Sequence, residues 1–356
     1  QRAYSNSAPL DIDYLEAHAT STQLGDATEL ETLRRLAQDS SSPLKVQQLL
    51  LGSVKSNIGH TLEAAGLIGL VKVLVAMQKR QVPPSLRFES PNRNYDWATA
   101  PVRVVTRTEP WPEHSLHQRP RRAAVSSFGI GGLNAHVVVE EAAGGVATSG
   151  ISINEVLKDS SPDAREPIAI VGRGIIVAGA KNVAEFRNIL ESDRSALSDA
   201  PASRWRDRAG VSDGGSPETH RTPHCRGGFI TDFKFDGSRY AIPPKQVQQA
   251  NPVQLMLIDA VAQALAELSS ETTLPASRTF PFDRQRVGVV IGAIFGGEFG
   301  DQLQVGMKLP EICRHMEMSM KEHGVSSQLT QQVTTEFRQT ILKNRPALLD
   351  ETGSFT

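Results

Sequence analysis

The stretch YLEAHATSTQLGDATELETL, Tyr14–Leu33, places one histidine in a run of small and hydroxylated residues before a helix-like pattern. Strand-like residues precede it at 11–15, and leucines recur at helical spacing after it. Asp26 and Glu29 have the spacing of a capping box, which predicts that a helix begins near Asp26. His18 is therefore expected at a strand end, either as an ordinary turn residue or as a donor lining a narrow tunnel.

The composition excludes several classes of protein. The 38 Lys and Arg residues nearly balance the 39 Asp and Glu residues, so no overall field favours nucleic acid or an anionic membrane. The two cysteines, Cys225 and Cys313, exclude a disulfide framework and fit a reducing cytosol. The most apolar run, Ala64–Met77, contains Lys72 and is shorter than the roughly 20 residues of a bilayer span. It is predicted to be a buried helix.

The 356 residues suffice for about two domains, and the pattern predicts two α/β segments. Residues 1–141 carry the stretch above and the predicted strands 49–54, 102–106, 123–127 and 136–140. A segment rich in small and polar residues follows and is predicted to be a linker, 142–165. Residues 166–356 contain predicted strands at PIAIVGRG and at RVGVVIG (286–292), and helices at NVAEFRNILES, at 252–268 and through most of 301–342. The chain begins without Met, so we expect a piece of a longer protein.

Three motifs stand in order in the first segment: EAHATST (16–22), VKSNIGHTLEAAG (54–66) and SSFGIGGLNAHVVVEE (126–141). Together they resemble the EAHGTGT, VKSNIGH and SSFGFGGTNAHVVLEE motifs of β-ketoacyl synthase (ketosynthase) domains in polyketide and fatty acid synthases. The resemblance covers residues from about 11 to 141. It implies the thiolase-like αβαβα layered fold and a decarboxylative Claisen condensation of acyl and malonyl thioesters.

That chemistry explains the two histidines. Loss of CO2 from a malonyl thioester leaves an enolate, so the site needs hydrogen-bond donors at the thioester oxygen. His60 precedes a predicted helix, whose dipole disfavours the imidazolium form. The resemblance implies that His18 and His60 belong to a catalytic Cys-His-His set and that Lys55 is the associated lysine. Taken alone, each would be an ordinary structural residue.

The same resemblance implies roles for the small and hydroxylated residues around His18. Thr20 and Thr22 match the threonines that hydrogen-bond the phosphopantetheine arm of an acyl carrier protein, and Phe128 matches a gating residue. Ala19 and Ser21 replace two glycines of the commoner motif, which narrows the tunnel slightly. No directly bound cofactor or metal is implied, because the carrier protein brings the phosphopantetheine.

The second segment resembles the beginning of another ketosynthase over residues from about 166 to 297, through EPIAIVGRG, RGGFITDF and IPPKQVQQANPVQLMLIDAVAQAL. It departs from that pattern at Asn251 and Val253 and lacks an FPG turn. Tandem copies resemble the ketosynthase and chain-length-factor pairs of polyunsaturated fatty acid synthases and related iterative polyketide synthases. We therefore predict a chain-length-factor-like second domain, in a homodimer or in such a pair, and the active but divergent ketosynthase is the alternative. The nucleophilic cysteine of either copy is expected outside the chain.

A different class of function also fits the resemblance. Both copies could belong to a noncatalytic thiolase-fold scaffold that serves dimerisation and chain-length control. Other patterns are weaker: VGRGIIVAG has Val177 where a dinucleotide fingerprint requires its third glycine, and HRTPHC (220–225) lacks a second ligand pair. His136 alternates with valines and is predicted to be structural.

Overall fold

The structure is a computed structural model. It describes residues 12–39, 48–111, 120–129, 132–142, 168–201, 225–267, 284–293 and 298–343. The chain forms two compact units, the first comprising residues 1–236 and 256–290 and the second comprising residues 237–255 and 291–356.

A five-stranded sheet organises the first unit. Its strands are β1 (Tyr14–Glu16), β2 (Leu49–Gly52), β4 (Val102–Val104), β6 (Arg122–Phe128) and β7 (Asn134–Glu140), in the order β4-β2-β1-β6-β7. Short strands β3 (Gln81–Val82) and β5 (Glu109–Pro110) pair separately. The strands β4, β2, β1 and β6 are parallel, and β7 returns antiparallel to β6. The carboxyl ends of β1, β2 and β6 therefore meet at one edge.

Helices cover both faces of this sheet, because its strands present apolar residues on alternate sides. Helix α1 (Gln23–Asp39) buries Leu30 and Leu33 against a face that includes Leu15 and Leu51. After β2, the chain forms the short helix α2 (Lys55–Ile58), a 3-10 turn at Leu62–Ala64 and helix α3 (Ala65–Lys79). Helix α3 packs against the opposite face, which includes Tyr14 and Leu50. The predicted mixed α/β class and the predicted buried helix at 64–77 are confirmed.

The first helix begins earlier than the sequence predicts. It starts at Gln23, and the backbone N–H of Asp26 already donates to the carbonyl oxygen of Thr22 at 3.0 Å. The capping-box prediction is wrong, because the carboxylates of Asp26 and Glu29 accept hydrogen bonds from the loop before the helix instead. Those two carboxylates belong to the candidate site described below.

The later part of the first unit contains α4 (Val183–Glu191), β8 (Leu197–Asp199) and β9 (Arg226–Gly228), which confirms the helix predicted in NVAEFRNILES. The strands predicted at PIAIVGRG and at 286–292 are wrong, since the described residues 168–174 and 287–293 contain no strand. A β-strand needs a hydrogen-bonded neighbour, and apolar, β-branched sequence alone does not supply one. Ile168 and Val290 are accordingly 94% and 99% exposed.

A third apolar cluster joins residues 54–75 to residues 175–190 within the first unit. Ile58 and Val75 pack with Phe186, Ile189 and further buried residues that follow the predicted linker. The contact is polar as well as apolar, because the buried Asn57 accepts from the backbone N–H of Ala196 at 2.7 Å and donates to the carbonyl of Arg194 at 3.3 Å. Residues of both predicted domains therefore share one core, and the domain boundaries themselves remain a prediction.

Helices dominate the rest of the described chain. Helix α5 (Pro244–Gln249) is followed by α6 (Pro252–Ala266), α7 (Glu298–Glu322) and α8 (Ser327–Lys343), as the sequence predicts for 252–268 and 301–342. Helices α7 and α8 share a small apolar cluster that includes Leu309 and Leu342. Among the helices of the described residues, none combines the length and the hydropathy that a bilayer crossing requires.

Candidate active site

The candidate site lies at the carboxyl edge of the five-stranded sheet. His18 follows β1 by two residues, Lys55 begins α2 three residues after β2, and Phe128 ends β6. Because these strands are parallel, their following loops emerge on the same side, where ligands of open α/β sheets bind. The three motifs of the first segment therefore converge on one place.

The two predicted catalytic histidines lie against each other. The ring centroids of His18 and His60 are 5.6 Å apart, with their planes at 86°. Phe128 packs on the other side of His18, with a centroid distance of 5.2 Å and an angle of 55°. The structure thus brings together His18, His60 and the predicted gating residue.

Backbone hydrogen bonds fix which nitrogen of each ring can donate. The N–H of Leu62 donates to Nδ1 of His60 at 3.0 Å, and the N–H of Phe128 donates to Nδ1 of His18 at 3.4 Å. A ring whose Nδ1 accepts a hydrogen bond carries its proton on Nε2. Both histidines are therefore neutral Nε2–H donors in this arrangement.

Electrostatics favours the same neutral form. Burial lowers the pKa of His18 below its ordinary value, and the positive charge of Lys55 and the neighbouring His60 add to that effect. Burial and Lys55 also lower the pKa of His60, whereas Glu63 opposes them. A lowered pKa means that each ring carries its proton on one nitrogen only at neutral pH.

Lys55 is surrounded by carboxylates that the motif comparison did not assign. Burial lowers the pKa of its ammonium group, while the negative charges of Glu16, Glu29 and Asp26 raise it, and Lys72 lowers it further. These carboxylates come from two elements that meet at the sheet edge, β1 and α1. The three carboxylates therefore oppose the lowering of the Lys55 pKa that burial causes.

Glu29 holds the loop that carries His18. Its two carboxylate oxygens accept from the backbone N–H groups of His18 and Ala19, each at 3.0 Å, and burial raises its pKa. Asp26 accepts from the N–H of Ser21 at 3.2 Å. Sequence reasoning missed both roles because it assigned these carboxylates to a helix cap. The sequence does contain one indication of these roles. Both carboxylates follow the His18 loop closely enough in the chain to accept hydrogen bonds from its backbone N–H groups.

Ala19 and Ser21 adopt the backbone conformation that suits the glycines of the commoner motif. Ala19 has a φ of 35° and Ser21 a φ of 65°, in the left-handed region that favours glycine. The side-chain oxygens of Thr20 and Thr22 lie 3.4 Å apart, with Thr20 half-buried and Thr22 exposed at the loop surface. The turn therefore alternates left-handed residues with threonines that remain accessible to a ligand.

The remaining patterns of the sequence lie elsewhere. Within the described ranges, no three His, Cys, Asp or Glu residues form a metal-binding group, and the HRTPHC stretch before Cys225 lies outside those ranges. The VGRGIIVAG stretch lacks the preceding strand that a dinucleotide fingerprint requires. His136 lies in β7, where Nδ1 of its ring is 3.0 Å from Oγ of Ser126, as expected of a structural histidine.

Comparison with known families gives an ordered set of matches. Residues 2–89 match the β-ketoacyl synthase C-terminal domain, residues 91–165 match the ketoacyl-synthetase C-terminal extension, and residues 165–337 match the β-ketoacyl synthase N-terminal domain. A C-terminal domain thus precedes an N-terminal domain, in the order that the motifs indicated. These matches confirm the predicted thiolase-like ketosynthase class.

Similar proteins are polyketide synthases. Polyketide synthase GfsE of Streptomyces halstedii is 33% identical over 290 residues, which is 74% of this chain and 7% of the relative. GfsA of the same organism is 44% identical over 164 residues, 46% of this chain and 2% of the relative. Erythronolide synthase EryA3 of Saccharopolyspora erythraea is 46% identical over 132 residues, 37% of this chain and 4% of the relative. The chain therefore spans a small fraction of the curated relatives that it matches.

Among solved structures, the ketosynthase from module 6 of the bacillaene synthase of Bacillus subtilis 168 is 43% identical. That match covers 38% of this chain and 24% of the solved chain, with a TM-score of 0.36. The family models match nearly the whole chain between residues 2 and 337. The chain therefore belongs to the β-ketoacyl synthase family of condensing enzymes.

Proposed function

We propose that the residues at the sheet edge support decarboxylative condensation in the intact synthase. The observation that carries this proposal is the pair of neutral imidazoles, His18 and His60, whose ring centroids lie 5.6 Å apart. Two neutral donors in one place suit a thioester oxygen that gains negative charge, since preorganised donors stabilise charge where it develops.

The reaction follows from that arrangement. The carbon–carbon bond of the malonyl thioester breaks, CO2 leaves, and the electron pair becomes an enolate whose oxygen accepts from Nε2–H of the two imidazoles. The enolate carbon then attacks an acyl thioester on the synthase's nucleophilic cysteine. That attack forms the new carbon–carbon bond and releases the cysteine as a thiolate.

Lys55 contributes by keeping both imidazoles neutral. Its charge lowers the pKa of His18 and of His60, so a proton added to either ring meets a nearby ammonium group. An imidazolium would give up its proton to the enolate and end the reaction, whereas a neutral ring only donates a hydrogen bond.

The first prediction tests the effect of the Lys55 charge on the two histidines, and it uses the 356-residue chain itself. Lys55→Met is expected to raise the pKa of both His18 and His60, because it removes a positive charge that disfavours their protonated forms. The titration of each ring is followed by NMR. Lys79→Met is the matched control, since that lysine pairs with Glu191 on the surface of the same unit. Equal titration curves for His18 and His60 in the wild type and Lys55→Met would contradict the proposal.

We further propose that an acyl carrier protein delivers malonate to this site on its phosphopantetheine arm. The hydroxyl groups of Thr20 and Thr22, 3.4 Å apart beside His18, support this role, because the arm carries amide groups that hydrogen-bond to hydroxyls. The arm belongs to the carrier partner.

The second prediction tests that contact. Thr20→Val combined with Thr22→Val in the intact synthase is expected to raise the KM for carrier-bound malonate about tenfold, with a smaller change in kcat. Each change is isosteric and removes only a hydroxyl group. Thr28→Val is the control, because its hydroxyl donates to the backbone of α1 at Leu24. An unchanged KM in the double variant would place the carrier arm elsewhere.

The chain-length-factor-like role of residues 166–356 also remains a proposal, as does assembly into a homodimer or a ketosynthase and chain-length-factor pair. One of the departures that suggested this role has a structural explanation. Oδ1 of Asn251 accepts from the backbone N–H of Val253 at 2.9 Å, at the start of α6. Asn and Asp cap helices about equally well, so this change is neutral for helix formation. Val253 and the missing FPG turn are the departures that still support the proposal.

A further inference from the structure

One buried carboxylate at the site has no role in the chemistry described above. Glu16 ends β1 and is 2% exposed, and its Oε2 lies 2.7 Å from the hydroxyl of Tyr14 and 2.8 Å from Nζ of Lys72. Its Oε1 accepts from the backbone N–H of Val54 at 2.6 Å. Burial of a charged pair is costly, so a pair this deep is retained only where its hydrogen bonds are complete.

The partners of Glu16 belong to the elements that carry the site. His18 follows Glu16 by two residues on the same chain segment, and Lys55 follows Val54 directly. Lys72 lies on α3, which follows the His60 loop. The carboxylate therefore contacts the three chain segments that deliver His18, Lys55 and His60 to the sheet edge.

The packing around Glu16 is adapted to this contact. An added Cβ at Gly69 of α3 would lie 3.0 Å from Cγ of Glu16, and one at Gly52 of β2 would lie 2.5 Å from the hydroxyl of Tyr14. The two glycines allow α3 and β2 to approach the Tyr14–Glu16 pair closely. The ammonium group of Lys72 also lies 5.5 Å from the centroid of the Tyr14 ring.

We propose that Glu16 is a positioning residue, whose carboxylate fixes the strand that carries His18, the helix start that carries Lys55 and helix α3 in one arrangement. The inference rests on the proposed function for its kinetic consequence. In this proposal Glu16 acts through Lys55 and His18 and makes no contact with substrate. Its charge also contributes to the field at Lys55, where Glu29, Asp26 and Lys72 are the other charged groups.

The test compares Glu16→Gln with Asp13→Asn. Asp13 is the matched control, since it is a buried carboxylate at the other end of the same strand that accepts from Trp111 and from the N–H of Arg122, away from the site. In the present chain, Glu16→Gln is expected to lower the pKa of Lys55, measured by NMR at Cε, and Asp13→Asn is expected to leave it unchanged. In the intact synthase, Glu16→Gln is expected to lower kcat roughly 100-fold with little change in KM, as for a small misplacement of catalytic groups.

Glu16→Gln leaves the buried Lys72 without its charged partner, and the protein could fail to fold for that reason alone. A second variant tests this case. Glu16→Gln combined with Lys72→Met removes both charges, keeps an oxygen for the N–H of Val54, and is expected to fold and to retain the loss in kcat. If both variants fail to fold, or if they fold with wild-type kcat and an unchanged Lys55 titration, Glu16 serves only the core and the inference is wrong. The titration of Lys55 gives its answer even if the synthase proves not to condense malonate, so the two proposals fail separately.

Discussion

Replacing His60 with alanine in the intact synthase is expected to lower the condensation rate about 100- to 1,000-fold, the loss found when one oxyanion donor is removed. His60 is the donor whose geometry is fixed most firmly, because Leu62 occupies its Nδ1 at 3.0 Å and leaves Nε2–H for the substrate. His60 is exposed, so the loss of its ring leaves no large cavity. Product formation from carrier-bound malonate measures the effect.

The matched control for this variant is His136→Ala. His136 is also a histidine of the first unit with a lowered pKa, chiefly through burial, but its ring faces Ser126 within the β6–β7 hairpin. It is expected to lose stability and to keep a condensation rate within a few-fold of wild type. Comparable losses of rate in the two variants would show that the assay reports folding, and full activity of His60→Ala would remove the assignment.

The second large effect is on stability. Phe186→Ala is expected to lower the free energy of unfolding of the first unit by about 3–5 kcal/mol, because it removes a fully buried aromatic side chain and leaves a cavity. The cavity would lie between α4 and the residues around Ile58 and Ile68, where residues 54–75 and 175–190 share a core. Denaturant unfolding at equilibrium measures the change.

Phe88→Ala provides the comparison. Phe88 is 39% exposed and contacts the ring of Trp97 at a centroid distance of 5.9 Å, so its loss is expected to cost about 1 kcal/mol or less. A similar cost for the two phenylalanines would mean that residues 183–191 do not pack on α2 and α3. A large cost at Phe186 alone supports the shared core.

The positions of the candidate site residues were predictable because they depend on residue order and on a parallel sheet. His18, Lys55 and Phe128 each follow a predicted strand, and parallel strands bring such residues to one edge. The carboxylates that organise the same groups were not predictable in that way. Glu29 has the sequence spacing of a helix cap, and only the position of the His18 loop shows that its oxygens are used there.

Backbone conformation and pairing account for most other differences. The left-handed φ values of Ala19 and Ser21 could be suspected only from the glycines that commonly occupy these positions, because alanine and serine have no such preference of their own. The strand predictions at 168–174 and 286–292 rested on apolar, β-branched composition. Such segments become strands only beside a neighbouring strand to which they hydrogen-bond. The local sequence does not show whether that neighbour is present.

We propose that His18 and His60 stabilise the enolate left by decarboxylation. The most direct measurement is the release of CO2 from carrier-bound malonate by the intact synthase, followed separately from acyl loading of its nucleophile, in His60→Ala and His136→Ala. We expect His60→Ala to lose CO2 release about 100-fold or more while acyl loading stays near wild type, and we expect His136→Ala to keep both. Normal CO2 release by His60→Ala, or a loss of acyl loading alone, would contradict the proposal.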